Sequence, residues 1–115
     1  MSDCVFCKIV DGDIPVSPVY EDDYVLAFDD IAAQAPVHTL VIPKTHHANM
    51  GDTVSDEMFS ALMRGVVRVA AAKGVADSGY RVIINNGPDA NQTVGHLHVH
   101  VMGGRAMAHG MVEFE

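Results

Sequence analysis

The sequence predicts an α+β domain built on one antiparallel sheet, and three observations predict it. Short apolar runs are bounded by Gly, Pro, Asn and Asp, as strands are. One long stretch, and only one, repeats its apolar residues at helical spacing. Near the C-terminal end, His96-Leu97-His98-Val99-His100-Val101-Met102 alternates imidazole with aliphatic side chain, so in a strand the three rings share one face and the aliphatic groups the other.

The elements follow in order. Cys4 to Ile9 carries Val5, Phe6 and Ile9 at a spacing that suits a short helical turn, closed by Gly12 and Pro15. Between Val19 and Tyr24 the acidic turn Glu21-Asp22-Asp23 joins two short strands, the second being Tyr24 to Phe28. Thr39 to Pro43 reads as a third strand, entered through Pro36, and these strands read as a meander. Ser55 is placed to cap a long helix whose first turn holds Asp56 and Glu57. Its apolar face is predicted from Phe59, Leu62, Met63, Val66 and Ala70, and Gly74 ends it. Tyr80 to Asn85 is a fourth strand, Asn86 to Asp89 has turn chemistry, and Leu97 to Met102 is the fifth. One long and one short helix thus accompany five strands.

A chain of 115 residues suits a single domain, residues 1–115. No basic segment leads an apolar one at Met1-Ser2-Asp3-Cys4, and no run approaches the length of a membrane span, so a cytoplasmic protein with no membrane partner is expected. The net charge of −8 repels nucleic acid backbones. A small anion could still bind where imidazoles and backbone N–H groups converge. The two cysteines, Cys4 and Cys7, form a C-x-x-C pair, which in a reducing compartment is a metal or redox candidate before it is a structural disulfide.

Three readings compete for His96, His98 and His100. A polar edge strand would be served as well by Thr, Lys or Glu. Imidazoles two apart on a strand can share one metal. The third reading is nucleophilic catalysis on phosphorus, in which one imidazole attacks and its neighbours manage protons. The preceding Asn91-Gln92-Thr93-Val94-Gly95 favours it, because amides, a hydroxyl and backbone N–H groups there can meet phosphate oxygens. His38 begins the third strand and could orient the nucleophile through its ring or backbone.

On these residues the chain resembles the histidine-triad (HIT) superfamily, whose signature His-φ-His-φ-His-φ-φ fits His96 to Met102 at every position. Further similar segments are Val5 to Ile9, Tyr20 to Asp23, Leu26 to Ile31, Gln34 to Lys44 and Gln92 to Val94; Gln34-Ala35-Pro36 and Met102-Gly103-Gly104-Arg105 are similar to the Hint branch, the nucleoside phosphoramidases. The resemblance implies a homodimer whose two five-stranded sheets join into one of ten strands, with purine nucleotide as ligand. It implies that His98 attacks the α-phosphorus to form a nucleotidyl-histidine that water hydrolyses, needing no catalytic cofactor. His100 would bind phosphate and protonate the leaving group, His38 would orient His98, and His96 completes the triad. Asn91, Gln92 and Thr93 would serve the phosphate. Val5, Phe6, Ile9, Phe28, Asp29 and Ile31 would wall the base, with Asp30 on the ribose and Asn85 near ribose and phosphate. A dinucleoside polyphosphate hydrolase and a nucleotide-binding regulatory module are the rival functions.

Bacterial relatives with an N-terminal C-x-x-C imply a structural zinc held here by Cys4, Cys7, His46 and His96. His47 and His109 are expected at the surface. The tail from Met107 to Glu115 departs from the Trp-Pro-Pro-Gly ending of eukaryotic Hint proteins, which leaves the leaving group open. The dimer interface is expected to use the fourth strand and the long-helix face bearing Met58, Leu62 and Val66.

Overall fold

The computed structural model describes residues 3–114. Helix α1 spans Val5–Val10 and α2 spans Asp56–Ala72. The strands are β1 (Tyr20–Glu21), β2 (Val25–Asp29), β3 (Val37–Pro43), β4 (Tyr80–Ile83) and β5 (Val99–Gly103). All pairings are antiparallel, in the order β1-β2-β3-β5-β4. The α+β class and the five-stranded sheet stand as read from the sequence. The meander holds only through β3: the chain then crosses through α2 to the far edge, lays down β4, and returns with β5 between β4 and β3.

The sheet separates two apolar clusters. On one face Val25, Ala27, Val41, Leu97, Val99 and Val101 pack against Met58, Ala61, Leu62, Val66 and Val69 of α2. On the other, Leu26, Phe28, Leu40 and Ile42 meet Phe6 of α1. The Ser55 hydroxyl caps α2 by accepting from the Met58 N–H at 3.1 Å. The buried stripe is rotated from the predicted one, since Met63 is exposed and Phe59 only half-buried while Ala61, Gly65 and Val69 face the sheet. Small residues allow the helix to lie close to the strands, which a search for large apolar side chains passes over.

Met58, Leu62 and Val66 lie inside the protomer, so they cannot belong to a subunit interface; that expectation is corrected. The apolar side chains that α2 and β4 leave exposed are Met63, Val67 and Val82. Strand β5 is also shorter than predicted. Its ladder begins at Val99, because the Leu97 N–H donates to the His47 carbonyl at 2.7 Å and the His96 carbonyl is taken by a ring nitrogen of His98. Strand β3 ends opposite at Pro43, which has no N–H to offer.

Gly65 sits where α2 crosses the sheet, and a Cβ built on it would lie 3.0 Å from Val41 and 3.3 Å from Val25. A Gly65→Val substitution should therefore lower stability by about 1–3 kcal/mol through overpacking, despite the better helix propensity of valine. Denaturant unfolding checks this, and a midpoint equal to or above the parent's would contradict it.

Candidate active site and metal centre

Two side-chain constellations share the segment from His96 to His100, and backbone groups decide which chemistry each can perform. His96 is fully buried, and its Nε2–H donates to the Pro43 carbonyl at 2.9 Å. That bond leaves Nδ1 as a lone pair. Nδ1 faces Cys4 Sγ at 3.2 Å, Cys7 Sγ at 3.5 Å and His46 Nδ1 at 3.2 Å. Cys7 Sγ in turn lies 3.2 Å from His46 Nδ1. The edges of a tetrahedron around a zinc ion with two sulfur and two nitrogen ligands would be about 3.4–3.8 Å. The set fits such a metal, needing only a slight expansion.

The chemistry of the donors agrees. Burial and the adjacent Cys4 sulfur push the Cys7 thiol up to about 11, so two thiolates here call for a cation between them. Burial and the neighbouring rings hold His96 below its ordinary value, keeping it a neutral ligand. The four residues come from α1, its N-cap, the segment after β3 and the approach to β5, and they are the set that the resemblance to bacterial relatives implied.

The second constellation opens into a cleft of about 560 Å³. The His98 Nδ1–H donates to the His96 carbonyl at 2.8 Å, so Nε2 carries the lone pair. His98 itself is buried to 4% exposure at the cleft wall, with the Phe6 ring edge-on at 5.3 Å. His38 Nδ1 accepts from the Gln34 N–H at 3.0 Å, which puts the His38 proton on Nε2, and that proton is donated to His100 Nδ1 at 2.9 Å. His100 must then hold its own proton on Nε2, a buried nitrogen with no hydrogen-bond partner. Asp30, His38 and His100 also have metal-like spacing. The Gln34 N–H claims the wrong nitrogen for that role, so this set is arranged for protons.

Burial first, and the His98 and His38 rings next, push His100 down to about 4, while the Asp30 carboxylate opposes them. Asp30 Oδ2 lies 3.4 Å from His38 Nε2, and Oδ1 accepts from the Ala32 N–H. Burial raises the Asp29 carboxyl, but the Lys73 ammonium and the Thr39 hydroxyl bonded to it outweigh this and hold it below the usual range.

Of the residues expected to hold a nucleotide, Val5, Phe6, Ile9, Phe28, Asp29, Asp30, Ile31, Asn85, Asn91 and Thr93 all line the cleft with His98 and His100. Gln92 does not. Its amide accepts from the Gly87 N–H and donates to the Ala48 and Val94 carbonyls, so it braces the loop. His96 faces the metal set and not the cleft. His38 does not reach His98: its ring bonds to His100 and its carbonyl to the Asp30 N–H, and the His96 carbonyl orients the His98 ring instead. His47 is half-buried, its ring on the Asp52 carbonyl, whereas His109 is exposed as expected. Ile14, Pro15, Val16, Leu40 and the backbone of Gln34 were missed. Leu40 belongs to an apolar run that the pattern assigns to core, and no motif marks Ile14 to Val16.

Comparison with known proteins fits this geometry. The family model described as HIT domain matches residues 11–107, beginning just after α1. A HIT-like protein of Synechococcus elongatus is 47% identical over 108 residues, covering 92% of this chain and 94% of that one. A 14 kDa zinc-binding protein of Brassica juncea is 44% identical over 109 residues, covering 91% and 96%. The structure of a HIT family hydrolase from Clostridium thermocellum superposes with a TM-score of 0.92 at 40% identity, covering 97% of this chain and 99% of that one. No helix among the described residues is long and apolar enough to cross a membrane.

The lowered value of His100 gives a test by pH. Between about 6.5 and 4 the unfolded chain binds a proton at this ring that the folded chain does not, so its share of stability is complete above 6.5 and is lost as pH falls toward 4. The thermal midpoint should drop from pH 7 to pH 5, and by less in a His100→Asn protein. An equal drop in both would remove His100 as the source.

Proposed function

The chain belongs to the HIT family of hydrolase-like proteins, and from that premise we propose that it cleaves purine nucleoside phosphoramidates or related adenylated compounds to a nucleoside monophosphate. The observation that carries this reading is the pair of imidazoles in one cleft with opposite tautomers: a lone pair on His98 Nε2 and an unpartnered N–H on His100 Nε2. A nucleophile and a donor side by side suit displacement at phosphorus.

His98 Nε2 attacks the α-phosphorus as the bond to the leaving group breaks, and the leaving atom departs with a proton taken from water, whose hydroxide is the equivalent consumed when the adduct is hydrolysed. The positive charge left on the phosphorylated ring is met by the His96 carbonyl at Nδ1–H. His100 presents its N–H to a phosphate oxygen or to the leaving atom, held in register by His38 with Asp30 beside it. Thr93 and Asn91 offer hydroxyl and amide to the phosphate, Asn85 and Asp30 serve the ribose, and the Phe6, Ile9, Phe28 and Ile31 wall takes the base. Water then releases the monophosphate. Splitting one hard displacement into two easier ones is the gain.

Among the described residues the cleft lining contains no Lys or Arg but two carboxylates, one of them held by Lys73 from outside the lining, and His100 is neutral near pH 7. A substrate with a single phosphate charge suits it, whereas the long anionic chain of a dinucleoside polyphosphate would meet no cation. Zinc at Cys4, Cys7, His46 and His96 would be structural, since four protein ligands close a tetrahedral site and leave no position for a reactant. A homodimer joined at the exposed edge of β4 would give a continuous ten-stranded sheet.

Incubation with an AMP–amine conjugate and with diadenosine tetraphosphate should show turnover of the first well above the second, with a nucleotidyl adduct trapped on His98. His98→Ala should lose on the order of 10³-fold or more of the rate while still binding AMP. Near-native turnover by that variant would overturn the mechanism, and preference for the tetraphosphate would overturn the substrate class. Sedimentation at micromolar concentration should give twice the monomer mass. A Val82→Lys variant, altered at the edge strand, should shift toward monomer.

A further inference from the structure

We propose that Phe6 is a positioning residue through which the Cys4/Cys7 metal centre and the nucleotide cleft are energetically coupled, so that metal and nucleotide each strengthen the other's binding. The proposal rests on the nucleotide reading of the cleft. It concerns how α1 is held. Phe6 is the only buried residue of this six-residue helix. Ile9 and Val10 pack half-buried on the same apolar cluster, and the two sulfurs face His46 and His96 across the metal set.

Both functional sites meet on this one turn. Cys4 caps α1, its sulfur accepting from the Cys7 N–H at 3.3 Å, while Val5, Phe6 and Ile9 form one wall of the cleft. The Phe6 ring stands edge-on to His96 at 5.8 Å and to the nucleophile His98 at 5.3 Å, and packs on Phe28 at 5.8 Å. One ring thus touches a metal ligand, the attacking imidazole and the base wall. The larger core, α2 against the sheet, contains no α1 residue, so most of the apolar packing does not pass through α1, which covers only the smaller cluster on the other face.

The consequence is local. Without the metal, the two thiols lose their common anchor, and α1 joins the low-stability part of the structure while α2 and the sheet remain. The cleft then loses Val5, Phe6 and Ile9 together, and the His98 ring loses a packing face. Nucleotide binding should restore what metal loss removed, and thermodynamic linkage requires the effect to be the same in both directions. A factor on the order of tenfold is expected, within the usual range for coupled sites. It should fall on affinity and KM more than on kcat, because the His96 carbonyl that orients His98 belongs to the backbone and not to α1.

The experiment uses the full zinc-loaded chain. Zinc affinity is measured by competition with a chelator, with and without saturating AMP; AMP affinity is measured by calorimetry on loaded and stripped protein; amide hydrogen exchange follows α1 and α2 separately. Zinc should bind about tenfold more tightly with AMP present, AMP should weaken by the same factor on stripping, and exchange should quicken in residues 5–10 while α2 stays protected. In zinc-loaded Phe6→Leu the factor should shrink toward one with zinc still bound. Unchanged zinc affinity while AMP binds would overturn the coupling. An undiminished factor in Phe6→Leu would overturn the role of the ring, since coupling through global unfolding does not depend on it. Failure of AMP to bind the loaded parent protein would instead remove the nucleotide reading and this inference with it.

Discussion

The bond from His96 Nε2–H to the Pro43 carbonyl is the constraint on which both sites depend. It fixes one ring nitrogen as donor and so leaves the other a lone pair facing the thiols. It also holds the His96 backbone where its own carbonyl can accept from His98 Nδ1, which leaves the His98 Nε2 lone pair free on the cleft side. Two main-chain acceptors, the carbonyls of Pro43 and His96, thereby set two histidines in different tautomers. A ring without such a partner would exchange tautomers and could serve neither role consistently.

What keeps that segment in place is the apolar half of the alternation. Leu97, Val99 and Val101 are wholly buried under α2, and each such side chain contributes roughly 1.5–3 kcal/mol when fully taken from water. The intervening imidazoles are carried to the opposite side of the sheet, where α1 rather than α2 covers them. The stable core is on one face and the chemistry on the other. The division lets the catalytic face keep an unpartnered N–H at His100 and converging thiols at Cys4 and Cys7, features costly to bury without a ligand, while α2 supplies the stability.

The electrostatics of the cleft follow from the same arrangement. His100 is pressed toward neutrality by burial and by two neighbouring imidazoles, so it donates a hydrogen bond without bringing a full positive charge. Asp30 beside His38 partly offsets this. Asp29, also in the lining, has its carboxylate held by the Lys73 ammonium and the Thr39 hydroxyl. On the proposed function, such a site would recognise phosphate through directed donors, and discrimination against highly charged substrates would come from the lack of Lys and Arg among the described residues of its lining.

Much of this was legible in the residues themselves. The alternation from His96 to Met102 specified a strand-like segment with a buried and a chemical face, and the C-x-x-C spacing marked a metal or redox candidate, whereas the wall of the cleft was reached only through the resemblance to the histidine-triad superfamily, since Phe6, Ile9 and Phe28 by themselves read as core. The order β3-β5-β4, the true buried stripe of α2, the service of Gln92 as a brace and the attachment of His38 to His100 were not legible. Periodicity reports which face of an element is apolar, but hydrogen-bond partners between distant segments depend on where those segments meet. Above all, the tautomers belong to the tertiary structure. His96, His98 and His100 are the same residue type at equal spacing, and only the carbonyls of Pro43 and His96 and the N–H of Gln34, brought beside them by the fold, turn one lone pair to the thiols, one to the cleft, and leave the third ring with an N–H to offer.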